Sequence, residues 1–108
     1  MEAAAKRSVD IFQPDIHWVG GLTALTKICA IAEAAGISVI PHGGGITAYG
    51  QHACYALPAI PWAECFVATP PGVPPEEAVR MPGVATPKNG RMVPADRPGF
   101  GVEITEEH

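Results

Sequence analysis

VDIFQPDIHWVGGLTALTKICAIAEAAGISVIPHGGG, Val9 to Gly45, decides the fold. Val9 to Gln13 reads as a short strand stopped by Pro14, which has no N–H to continue a ladder. DIHWVGG (residues 15–21) then reads as a loop. From Leu22 to Ala35, Leu22, Leu25, Cys29 and Ala32 recur at three- and four-residue steps with Ile28 beside them. That spacing predicts an amphipathic helix, closed by Gly36. Ile37 to Pro41 reads as a second, buried strand. Strand, helix and strand within about 30 residues make a βαβ unit, which implies a parallel sheet and a right-handed crossover.

Working outward, a second helix is expected over roughly Tyr49 to Leu57, and AECFVA (Ala63 to Ala68) is a third strand candidate. The fold class is therefore α/β, a βαβαβ arrangement. Three parallel strands would leave two open edges and partly uncovered faces, so the chain reads as a piece of something larger. From Thr69 the character changes, because prolines at 70, 71, 74, 75, 82, 87, 94 and 98 forbid long regular elements. Only RMV and GVEI look like short extended pieces. The expected division is 1–8 as a terminal helix, 9–68 as strands with helices, and 69–108 as a proline- and glycine-rich tail. MEAAAKR is strongly helix-forming and contains the spacer sequence EAAAK, so it reads as a spacer remnant or a helix cut short.

The bulk properties narrow the function. A chain of 108 residues is one domain at most, long enough for a modest core, and 47% hydrophobic residues argue against disorder. Twelve prolines and twelve glycines are too many for a helix bundle. A net charge of −4 with no basic run argues against nucleic acid as a partner. No apolar stretch approaches the roughly 20 residues that span a bilayer, and residues 1–7 do not resemble a signal peptide. The three cysteines, Cys29, Cys54 and Cys65, are odd in number and lack CxxC spacing. They read as reduced, buried thiols of a cytoplasmic protein.

Asp15 and His42 each follow the C-terminal end of an expected parallel strand, the edge where α/β folds carry catalytic groups. They lie one βα repeat apart, so their strands should be adjacent, about 5 Å from each other. A carboxylate on a ring nitrogen fixes the tautomer of a histidine and makes it a positioned acid/base. The alternative is an Asp15 that caps a helix and a His42 bonded to backbone. Glu64, amid the apolar neighbours of PWAECF, is costly to bury without a partner, which favours a functional role. Gly43, Gly44 and Gly45 match no phosphate-loop spacing and read as a tight turn that keeps bulk away from a cavity. His17 and His52 could join His42 at a metal, but no short-spaced ligand pair supports this, and no metal ligand is assigned. Trp18 and Trp62 are expected in the core or as pocket wall.

Taken in order, VDIFQPDIHWVGGLT, VIPHGGG, PWAE and NGRMVPADRPGFGVEI resemble the C-terminal part of the mandelate racemase branch of the enolase superfamily, and within it the acid-sugar dehydratases, those of L-rhamnonate type above all. The resemblance covers about Val9 to Ile104, and it rests on the order of the motifs rather than on any one of them. It implies the last three strands of a (β/α) TIM-type barrel, with a tail that joins a capping domain. It also implies proton abstraction next to a substrate carboxylate. It further implies the superfamily's use of a Lys or His base together with Mg²⁺. By this resemblance His42 matches the acid/base and Asp15 the aspartate of its dyad. Glu64 matches the acid that hydrogen-bonds the substrate carboxylate or enediolate. Gly43, Gly44 and Trp18 are expected beside the substrate. The carboxylates that hold Mg²⁺ in the family come from earlier strands, which are missing here. Asp10, Asp96, Glu103, Glu106 and Glu107 do not replace them. The chain is thus expected to be a fragment of a hydro-lyase, inactive alone, that works with a sugar-acid substrate inside a complete barrel and cap. The other expectation is a non-catalytic half-barrel that pairs with itself or with a complementary chain.

Overall fold

The chain enters its core through a helix start that the periodicity does not announce. In the computed structural model, which describes residues 2–66, 69–78 and 80–106, DIHWVGG is not a loop. Ile16–Val19 forms a single helical turn, α2; in chain order the preceding elements are α1 (Glu2–Ala5) and strand β1 (Ile11–Phe12). Capping sets α2. The Asp15 carboxylate accepts the His17 N–H at 2.8 Å, and Gly20, in the left-handed region at φ 106°, returns its N–H to the Ile16 carbonyl. One turn is too short to show an apolar period, so only the cap could have revealed it.

The main helix, α3 (Gly21–Ala35), matches the expected span. Leu25, Cys29 and Ala32 form its buried stripe, against Ile16, Ile37 and Val39. Gly36 closes it at φ 66°, donating back to Ala32 and Glu33, and the Ile37 N–H reaches the Ala32 carbonyl at 2.8 Å. An L-residue with a side chain is strained at such a φ, which is why glycine stops the helix. Strand β2 (Ser38–Val39) then pairs in parallel with β1, Ile11 beside Ser38 and Phe12 beside Val39. The βαβ unit is present, with strands shorter than their sequence spans. Helix α4 (Ala48–Ala56) follows the glycine turn, capped by the Thr47 hydroxyl.

Among the described residues the third strand does not form. Residues 61–66 have no regular structure, and Val67 and Ala68 lie outside the described residues, as does Glu107. Two separated backbone bonds stand where a ladder would run, Val39 N–H to the Ala59 carbonyl and Gly45 N–H to the Glu64 carbonyl. Pro58 and Pro61 remove donors that a ladder would need. The described sheet therefore has two strands, not three.

The tail carries one short 3₁₀ turn, Pro75–Glu77. It also carries a tight turn at Asn89 and Gly90, both at positive φ, which joins Lys88 to Arg91 in a single antiparallel bridge. Asn-Gly is the pair that tolerates this geometry, so RMV is the return arm of a minimal hairpin. No helix among the described residues is long and apolar enough to cross a membrane.

Candidate active site

Parallel pairing continues past the strands as an isolated bridge between Asp15 and His42. The His42 N–H donates to the Pro14 carbonyl at 3.0 Å, so the two backbones lie side by side at the C-terminal edge of the sheet, as their spacing predicts. Their side chains are differently engaged. Asp15 Oδ1 caps α2, while the His42 ring meets the carboxylate of Glu64, with Nδ1 3.0 Å from Oε2. A carboxylate only accepts, so Nδ1 carries the proton and Nε2 is left free. The same Oε2 accepts the Gly43 N–H at 2.5 Å. Phe66 packs edge-on to the imidazole with centroids 5.3 Å apart. The histidine side chain remains 52% exposed and that of Glu64 30%, so the pair is open to a ligand.

The glycines explain how Glu64 arrives. Gly43 takes φ 62°, which turns its N–H toward the carboxylate. A Cβ on Gly45 would sit 2.7 Å from the Glu64 carbonyl oxygen, and one on Gly44 2.9 Å from Cys54 Sγ. Both residues are buried, and neighbours fill the room they leave. The run is a close-packed turn that docks the 64–65 backbone.

Two cavities flank this edge. One of about 670 Å³ lies between α4, residues 60–65 and the tail at 87–94. The other, about 390 Å³, is lined by Ile16, His17, Leu22, Tyr49 and Phe100, among others. His42, Glu64, Gly43, Gly44 and Trp18 line neither. Trp18 is 87% exposed and Trp62 72%, so neither belongs to the core; Trp62 does line the larger cavity. Their positions, on a one-turn helix and between Pro61 and Ala63, place both rings outside the apolar stripe.

His17 and His52 do not join His42. His17 Nε2 bonds the Tyr49 hydroxyl at 2.6 Å, and the His52 ring lies tilted against Phe100 with centroids 5.8 Å apart. Among the described residues no group of three or more His, Cys, Asp or Glu side chains could hold a metal ion. Mg²⁺ asks for several oxygen donors, and here the two site carboxylates answer backbone N–H groups and an imidazole. These residues do not make a Mg²⁺ site. The cysteines are free, Cys29 buried and Cys54 and Cys65 half-buried. Burial pushes the Cys54 thiol up to about 11, with Cys29 adding to it, and raises Cys29 as well, with help from Glu33.

The chain is similar to several known proteins. A 39% identical relative, provisionally named an L-rhamnonate dehydratase, occurs in Caldivirga maquilingensis; the match covers 92% of this chain and 25% of that protein. The crystal structure of L-rhamnonate dehydratase from Gibberella zeae superposes with a TM-score of 0.76 at 34% identity, over 94% of this chain and 26% of that one. L-Talarate dehydratase from Polaromonas sp. JS666, solved with Mg and L-glucarate, superposes with a TM-score of 0.68 at 30% identity, over 98% of this chain and 27% of its own. The chain thus spans about a quarter of the length of these relatives. The family described as enolase C-terminal domain-like matches residues 1–108, and the chain belongs to it.

Proposed function

We propose that this chain supplies the acid/base half of an acid-sugar dehydratase of L-rhamnonate type, working on the proton next to a substrate carboxylate. The observation that carries the reading is the Glu64–His42 pair at the sheet's C-terminal edge. With Nδ1–H held by a carboxylate, His42 presents Nε2 to take and return the α-proton. Glu64 orients the ring and is within reach to hydrogen-bond a substrate carboxylate. When it turns to that task, Asp15, which spends only Oδ1 on its cap, is the carboxylate left to hold the ring. Gly43, Gly44 and Trp18 are the residues assigned beside the substrate. Mg²⁺ would supply electrostatic stabilisation of the enediolate. Its ligands, the remaining barrel strands and the cap are assigned to sequence outside these 108 residues, in a cytoplasmic enzyme.

The test is α-proton exchange of L-rhamnonate in deuterated, Mg²⁺-containing buffer, followed by NMR, with this segment within its complete barrel. His42→Ala should slow exchange by about 10² to 10⁴-fold. An unchanged rate removes the proposed role.

A second reading, a non-catalytic half-barrel that pairs with itself or a complementary chain, has one observation in its favour. The outer edge of β1 has no strand beside it among the described residues, and Val9 and Ile11 there are 43% and 48% exposed. Such an edge invites strand addition. Light scattering of the 108-residue chain tests it: a concentration-independent monomer rules out self-pairing.

A further inference from the structure

Among the described residues Gln51 is the buried polar side chain, 4% exposed on the first turn of α4, and nothing in the proton-transfer reading uses it. Its amide is fully employed. Nε2 donates to the Gly45 carbonyl at 2.9 Å and to the Ala85 carbonyl at 2.8 Å, while Oε1 accepts the Ala85 N–H at 3.0 Å. Toward the tail it behaves like a peptide group, matching both the donor and the acceptor of one residue. Toward the glycine turn it fixes Gly45, whose own N–H donates to the Glu64 carbonyl at 2.7 Å. Glu64 in turn holds Gly43 N–H and His42 Nδ1. A continuous line of bonds therefore runs from Ala85 through Gln51, Gly45 and Glu64 to the imidazole.

Packing tightens the same line. A Cβ on Gly50, the residue before Gln51, would lie 2.5 Å from the Gly44 carbonyl oxygen, so α4 sits directly on the turn. Met92 of the tail covers Gly45 from the other side, its Cε 2.8 Å from where a Cβ would be. A buried amide with both donors and its acceptor paired is rigid, and truncating it leaves two carbonyls and one N–H without their partners.

We propose that Gln51 is a positioning residue that clamps the glycine turn to the tail and thereby sets the His42–Glu64 geometry. The coupling stands on the bonds alone; its catalytic meaning rests on the proton-transfer reading above. It makes the tail a structural arm of the site.

Amide hydrogen exchange of the unmodified 108-residue chain is the first test, and it requires no variant to fold. The amides of Gly43, Gly45 and Ala85 should open together, with protection factors within about threefold of one another. Ala85 exchanging tenfold or more faster than Gly45 means the tail opens without the turn, which overturns the clamp. The second test is NMR of Gln51→Leu, with Ile37→Val as a control that loosens the core away from the clamp. Q51L should shift the Gly43 amide proton upfield and alter the nitrogen shifts of the His42 ring, whereas I37V should move neither. A folded Q51L with wild-type Gly43 and His42 signals rejects the proposal. Neither readout is activity, so the clamp can fail while His42 remains the base, and the reverse.

Discussion

Residues 11–60 and the tail at 69–106 draw on similar apolar residues and use them in opposite ways. Every buried hydrophobic side chain among the described residues lies between Ile16 and Ile60. Among the described residues Gly101 is the one buried residue of the tail, and the large apolar Met81, Val93, Phe100 and Ile104 are 42 to 73% exposed. The first region has helical period and paired strands, which gather side chains onto one face. Prolines deny the second both devices. The tail is tied to the rest by directed contacts, Gln51 on Ala85 and Phe100 on Tyr49 and His52 among them, and to itself by Glu103 N–H on the Pro82 carbonyl and the Arg97–Glu103 ion pair. One region is stabilised by area, the other by address.

That contrast can be broken by mutation, beginning in the core. Leu25→Ala removes a fully buried side chain and should cost about 2–5 kcal/mol in urea denaturation; a loss under about 1 kcal/mol would mean that α3 is not packed as described. The same core responds to alkali. Burial keeps the Cys54 thiol neutral to about 11 in the fold, against a reference of 9.0 for an accessible thiol. The folded state therefore holds a proton that the unfolded chain releases. Stability should be intact below pH 9 and fall as pH rises toward 11, with Cys29 adding in the same direction. Thermal melts across that window check the sign, and a Cys54→Ala variant should show a shallower decline.

At the junction of the two regions, Gly45→Ala forces a methyl against the Glu64 carbonyl and Met92, at an expected cost of about 1–3 kcal/mol. It should also perturb His42 resonances, which Leu25→Ala should leave nearer to native while the protein is folded. Asp15→Ala loses the α2 cap, worth about 0.5–2 kcal/mol, measurable as a lower melting temperature. The smallest effect belongs to the tail. Phe100→Ala gives up edge contacts with Tyr49 and His52 and should cost about 1 kcal/mol or less. A loss as large as that of Leu25 would erase the distinction between the regions.

Much of the packed region is legible in its residues. The Leu25–Cys29–Ala32 stripe, the stop at Gly36 and the parallel neighbours are all there to be read. The misses share a cause. The α2 turn, the third strand missing among the described residues and the exposed Trp18 depend on single hydrogen bonds or on what a segment lies against, and neither leaves a period in the sequence. The hairpin at Asn89–Gly90 could have been read, since that dipeptide is a turn signal in itself.

The candidate site divides along the same line. By itself the sequence determined that Asp15 and His42 would stand side by side, because parallel strands joined by one helix fix the offset between their ends. It also marked Glu64 as a carboxylate in need of a partner. Which carboxylate holds the imidazole was decided only in three dimensions. Asp15 has a backbone N–H two residues away and caps it, a local bond that costs little chain entropy. Glu64 starts no helix, and its carboxylate takes the Gly43 N–H and the ring across the chain, where Gly45 lets the backbones approach closely.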